Sequence, residues 1–203
     1  MSSSLSVYLI DPKAARALVG SGDQSLLDVV RENFAADLAS DDDWFSAEIE
    51  DGAPTAFEAL TAVVRGGPFE AARHHSFPYG YAYKRLCSLT GSFLDNSAFS
   101  PFRGDWLEVV DEGLTALRIT AVSVAEFGYG GGLPQPIPRD DLPRCGEWTH
   151  EQCLAALEQF ERTKEAGHAP PLDPEVVAAV RDVTGWLRHA AARPGFGVIG
   201  FVS

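Results

Sequence analysis

Tyr79, Tyr81, Tyr83, Lys84 and Arg85 stand together in one stretch of the chain, Arg103, Asp105 and Trp106 follow a little later, and His74 and His75 lie just ahead of the first group. An arginine fork takes a carboxylate or phosphate, a tyrosine combines an apolar ring with a hydrogen-bonding tip, and an indole covers a ring or a cation. Residues 77–85 and 99–107 therefore predict a polar-aromatic pocket for a small polar molecule. The same residues admit a second reading, in which Arg103 and Asp105 pair within their own loop while the aromatics complete the core. His74 and His75 have the chemistry of a general base or a metal ligand. No serine or cysteine in a recognised nucleophile context lies near them, so no catalytic residue is assigned.

Other motifs are fragments. Cys145, His150 and Cys153 have part of a zinc-site spacing, but the paired knuckle is missing and Cys153 shares an apolar helical line with Leu157 and Phe160. Asp41, Asp42 and Asp43 lack the spaced ligands and the glycine of a calcium loop and read as a solvated loop. The glycine-rich run at 128–132 has neither a P-loop ending nor dinucleotide spacing and reads as a loop over the pocket. Glu108, Asp111 and Glu112 share one helix face, either as an acid–base pair or as a solvated acidic surface for a basic protein partner. The tripeptide ArgGlyAsp at 103–105 is a chance match to an adhesion motif. Neither a metal nor a cofactor is expected.

Charge narrows the partners. A formal net charge of −13 opposes a phosphate backbone, which excludes nucleic acid as the expected partner. No apolar run approaches the roughly 20 residues of a membrane span, and the first residues lack the basic start of an export signal, so no membrane association is expected. Cys87, Cys145 and Cys153 are too few and odd in number for a disulfide framework, which points to a reducing cytoplasm. The preference for Arg, Ala, Gly, Asp and Pro matches the coding bias of a high-GC bacterium.

The elements that must position these groups follow from periodicity. Residues 4–10 predict a strand, and Asp11 with Pro12 starts a helix that Gly20 ends. Further helices are predicted at about 25–38, at 54–67 closed by glycine, at 81–90, and from Asp105 onward. Residues 119–127 predict a strand, and 128–143 an ordered loop or lid. Thr149 and Gln152 have capping-box spacing, Asp173 and Pro174 begin a long helix, and 196–202 predict an apolar strand beside the first one. The sum is a single α+β domain over 1–203, with a small sheet that includes both terminal strands and several helices packed on it.

The opening SerLeuSerValTyrLeuIleAsp, the block at 52–68, the block at 102–114 and the ending GlyValIleGlyPheValSer resemble a group of small, acidic actinobacterial proteins of unknown function. More distantly, the helix ending in GlyGly near residue 66 and the terminal helix followed by an apolar strand are similar to the YfbM-like proteins. The resemblance implies an α+β fold and carries over no activity and no catalytic residue. Two functions stay open. One is a binding or interaction module with a mid-chain pocket. The other is a cofactor-independent enzyme, a hydrolase, cyclase or transferase, acting on a small secondary metabolite.

Overall fold

The computed structural model describes residues 2–69, 75–129 and 132–203. His74 of the expected site, and Gly130 and Gly131 of the glycine-rich run, lie outside the described residues. In chain order the elements are β1 (Leu5–Ile10), α1 (Pro12–Ala17), α2 (Gln24–Asn33), α3 (Ala35–Trp44), α4 (Ser46–Glu50), α5 (Ala56–Arg65) and α6 (Phe77–Thr90). There follow β2 (Ser92–Phe93), a 3-10 turn (Ser97–Phe99), α7 (Trp106–Ala116), α8 (Glu126–Tyr129), β3 (Arg144–Trp148), α9 (His150–Glu165), α10 (Pro174–Ala191) and β4 (Gly197–Val202). The fold is α+β. Its antiparallel sheet has the order β2-β1-β4-β3; it includes both terminal strands side by side, as the sequence predicts, and places them in the middle. Contacts divide the chain into two compact units, Met1–Pro12, Thr90–Gly131 and Arg144–Ser203 in the first, Lys13–Leu89 and Gly132–Pro143 in the second.

The first unit is built on β4, all six of whose residues are buried. β1 pairs with it from Leu5↔Val202 to Ile10↔Gly197, and β3 pairs with its other edge. In that second ladder Gly146 stands opposite Gly200, so the sheet has a bare patch without side chains. α8 occupies it. A Cβ on Gly146 would lie 2.3 Å from the Glu126 carbonyl oxygen, and one on Gly200 would lie 2.5 Å from Cγ of Phe127. Phe127 then stacks on Trp148 at 4.5 Å, Trp148 meets Trp186 at 6.0 Å, and Trp186 meets Phe99 at 5.2 Å, an aromatic series running through the core. α10 lies against α7 and α9. Gly113 of α7 lets α10 approach closely, because a Cβ there would meet Cγ1 of Val176 at 2.4 Å.

The strand predicted over 119–127 does not form. Residues 119–125 are irregular and lead into α8. Their donors are taken by side chains: Gln159 Oε1 accepts from the amides of Thr120 and Ala121 at 2.8 and 3.1 Å. The Asp111 carboxylate accepts from Ser123 Oγ at 2.5 Å and from the amides of Val124 and Ala125 at 2.6 and 3.1 Å. Trp148 Nε1 donates to the Ser123 carbonyl at 3.0 Å. With its backbone bonded to side chains in this way, an apolar segment of high strand propensity has no ladder to join. The strand that completes the sheet is β3, whose central glycine weakens its signature.

In the second unit the helix predicted over 25–38 is two. α2 and α3 meet at Phe34, whose φ of −123° breaks the helical path. The aspartate run at 41–43, read as a loop, is the last turn of α3. Carboxylates at a helix C-terminus oppose its dipole. Neighbours offset the cost: Arg85 reaches Asp41 at 2.5 Å and Asp37 at 3.7 Å, and Asp42 Oδ1 accepts from the Ala56 amide at 2.6 Å, at the start of α5. α5 follows its prediction. Thr55 and Glu58 form a capping box, and Gly66 ends the helix at φ +75°, against the backbone of Gly20.

If the bare patch on the sheet fixes the first unit, Gly146→Ala lowers its stability by about 1–3 kcal/mol through overpacking against backbone. Gly185→Ala, in α10 with open space around it, raises it by about 0.5–1 kcal/mol through helix propensity. Urea midpoints at unchanged slope measure both, and equal effects of the two substitutions would refute the distinction.

Candidate functional site

The expected pocket residues divide between the two units. Tyr79, Tyr81, Tyr83 and Lys84 are on α6, which begins at Phe77 and so takes the whole aromatic run into a helix. Helical residues two apart do not face each other, so the three tyrosines cannot converge. Tyr79 and Tyr83, one turn apart, are buried with Leu86 and Cys87, and Tyr79 packs edge-on against Phe69 at 4.9 Å. Tyr81 points elsewhere, to Phe45 at 5.2 Å, and Lys84 lies over its ring at 5.8 Å. Burial lowers the Lys84 pKa below the usual lysine value, the Asp41 charge opposes that shift, and Arg85 adds to it. Tyr81, Phe45, Leu38 and Arg85 border a cavity of about 40 Å³, room for water and no more. His75 is buried, with Nε2 3.2 Å from the exposed Asp51 carboxylate, and Ser76 Oγ donates to Asp140 at 2.8 Å. Of this half of the expected site, Tyr79, Tyr83 and His75 are buried, whereas Tyr81 and Lys84 are half-buried.

The other half opens to solvent. Phe102, Arg103 and Trp106 face Glu175 and Ala178 of α10 across a groove of about 420 Å³. The segment that forms its wall is fastened at several points. Phe102 and Ser3 exchange both backbone bonds, at 2.8 and 2.9 Å, and Asn96 Nδ2 donates to the Leu5 carbonyl. Trp186 Nε1 donates to the Asp95 carbonyl at 2.6 Å, and the Ala98 amide donates to Asp182 at 3.1 Å. Trp106 itself is fixed by Nε1 donating to the Ala98 carbonyl at 2.9 Å, and its side chain lines the groove. Gly104 turns the chain at φ +59°, a conformation that favours glycine. Arg103 is exposed, and no ion pair joins it to Asp105 or to Glu175 among the described residues. Asp105 sits outside the groove as the residue before α7. Phe102 belongs to the 99–107 run that predicts the pocket, whereas nothing in the sequence marks Glu175 as part of it. Glu175 follows a helix-start proline, where an acidic residue reads as dipole compensation rather than as a site.

The acidic face of α7 is also partly structural. Asp111 is consumed by the 123–125 backbone, whereas Glu112 stays exposed. Cys145 is on β3, the His150 ring is 2.9 Å from the Phe196 carbonyl, and Cys153 is fully buried in the core. Among the described residues no three His, Cys, Asp or Glu side chains gather as a metal site. Burial pushes the Cys153 thiol up to about 12, with the Glu151 charge adding to it. Asp182, which anchors the groove wall, has its pKa raised by burial; the Ala98 amide opposes the shift, and Asp95 adds to it.

Two measurements follow from these groups. Because the folded state favours protonated Asp182, its contribution is fully present below the ordinary aspartate range and is lost as pH rises through the raised pKa. Wild type therefore loses stability relative to Asp182→Asn over that window, as read by urea midpoints against pH, and parallel curves would contradict the assignment. All three thiols are buried. Ellman's reagent accordingly labels none of them in the native protein and all three in denaturant; rapid native labelling of Cys153 would be inconsistent with its packing.

No helix among the described residues is long and apolar enough to cross a membrane. No curated protein and no solved structure matches the chain. A family described as a domain of unknown function, DUF7691, matches residues 1–203, and the chain belongs to that family.

Proposed function

We propose that the protein is a binding module whose ligand site is the groove between residues 98–106 and α10. The observation that carries this reading is a concavity of ligand size whose wall is fixed in advance by side-chain and backbone bonds, with an arginine, a carboxylate and an oriented indole on its surface. Arg103 suits a carboxylate, Glu175 an ammonium or hydroxyl, and the faces of Trp106 and Phe102 an apolar or planar body. A small polar molecule that joins a carboxylate and an ammonium or hydroxyl to a planar or apolar body is the class that uses all three. Glu112 of α7, which is exposed, adds an acidic point of contact for a basic protein partner. The reading extends to a cytoplasmic setting, with which three reduced thiols accord, and to the finer kinship. The composition accords with a high-GC actinobacterial source, and α10 followed by β4 accords with a distant likeness to YfbM-like proteins.

Glu175 is the titratable carboxylate on the groove, so the enzymatic alternative would place proton transfer there. Native mass spectrometry of the gently purified protein, set against its denatured mass, tests the site. The expected result is a retained small mass that Arg103→Ala loses while folding normally. A mass retained equally by Arg103→Ala removes the groove from consideration. Conversion of an added candidate ligand by wild type, lost in Glu175→Gln with binding intact, would favour the enzyme.

A further inference from the structure

α10 carries a second stripe beside its core line. Val176, Val180, Val183, Leu187 and Ala190 are buried, whereas Val177, Arg181 and Arg188 are exposed on the adjoining face, with buried Thr184 between them at helical spacing. That face and the end of α9 border an open groove of about 480 Å³. Its floor is Leu117, Phe160, Leu172, Val177 and Val180. The polar atoms nearby are already engaged. Thr163 Oγ1 donates to the Leu117 carbonyl at 2.6 Å, Thr184 Oγ1 to the Val180 carbonyl at 2.7 Å, and the His168 ring is 2.9 Å from the Ala116 carbonyl. The floor thus offers apolar contact and few unsatisfied hydrogen-bonding groups.

The rim has the opposite character. Lys164, Arg181 and Arg188 line it and, among the described residues, no carboxylate does, in a chain whose formal net charge is −13. Glu161, outside the lining, stands 3.9 Å from Lys164 and 3.7 Å from Arg188, one carboxylate against two cations. The side chains of Lys164 and Arg188 are 71% and 57% exposed, and the Arg188 guanidinium lies over the Phe160 ring at 5.8 Å, at the edge of the floor. Cations gathered beside an apolar floor on an acidic protein complement a molecule with an apolar body and an anionic head, and the volume falls in the roughly 300–1,000 Å³ of small-ligand sites. We propose that this groove binds a small amphipathic carboxylate, its alkyl or aryl body on Phe160, Leu172 and Val177 and its head at Arg181 and Arg188. The site is separate from the Arg103 groove and is lined by a different face of α10.

Titration of isotope-labelled protein with sodium octanoate, followed by two-dimensional NMR, tests it. Saturable shifts are expected at the amides of Leu117 and of residues 160–188 that border the groove. Octanol, with the same chain and no charge, binds at least about tenfold more weakly, and so does octanoate to the Arg181→Ala/Arg188→Ala double variant with an unchanged spectrum elsewhere. Equal affinity for octanoate and octanol, shifts outside the groove, or no saturation at millimolar octanoate would each overturn the proposal. Concentration-dependent broadening of the same amides without ligand would also overturn it, by assigning the groove to a second copy of the chain.

Discussion

The first unit depends on one steric permission, the glycine pair Gly146 and Gly200 at the centre of the β3–β4 ladder. Two adjacent positions without side chains let backbone rest directly on a sheet, and α8 enters that space with Phe127. Phe127 sets the position of Trp148, Trp148 of Trp186, and Trp186 of Phe99. Each indole also holds a loop: Trp148 the carbonyl of Ser123, Trp186 that of Asp95. Packing and hydrogen bonding therefore specify the same arrangement, and the wall of the Arg103 groove is its far end.

Acidity in this chain is not only a matter of solvation. Asp111 takes backbone donors of an irregular segment, Asp42 caps α5 in addition to its capping box, and Asp182 holds the Ala98 amide. A carboxylate bonded to backbone amides is a strong, oriented partner. Several of these contacts join residues far apart in sequence, so they act as tertiary fastenings rather than local turns. The second unit uses the same device in reverse, with Arg85 restraining the aspartates at the end of α3.

α10 is the element on which both candidate sites turn. Its core line is buried, one flank contributes Glu175 and Ala178 to the Arg103 groove, and the other contributes Val177, Arg181, Thr184 and Arg188 to the apolar groove. A helix braced against α7 and α9 gives both surfaces a rigid wall, and Gly113 allows the tight approach on which that bracing rests. Sites on regular elements hold their geometry with less ordering on binding.

Local signals in the sequence determined the α+β class, the pairing of the terminal strands, the capping box at Thr149, the start of α10 at Asp173 and Pro174, and the glycine end of α5. Each depends on a few neighbouring residues whose conformational preference acts alone. What tertiary structure decided was where backbone donors go and which side chains meet. Residues 119–127 have the composition of a strand, yet Asp111 and Gln159, from other helices, claim their amides. Residues 41–43 have the composition of a loop, yet Arg85 and the Ala56 amide keep them helical. Tyr79, Tyr81 and Tyr83 look like a cluster as letters, but helical geometry sends two into the core and one away. Arg103 and Trp106 were legible as candidates because their types are unusual in one short loop. Glu175, and the cations of α10, were not, because only the packing of distant segments turns a charged residue on a helix into the wall of a groove.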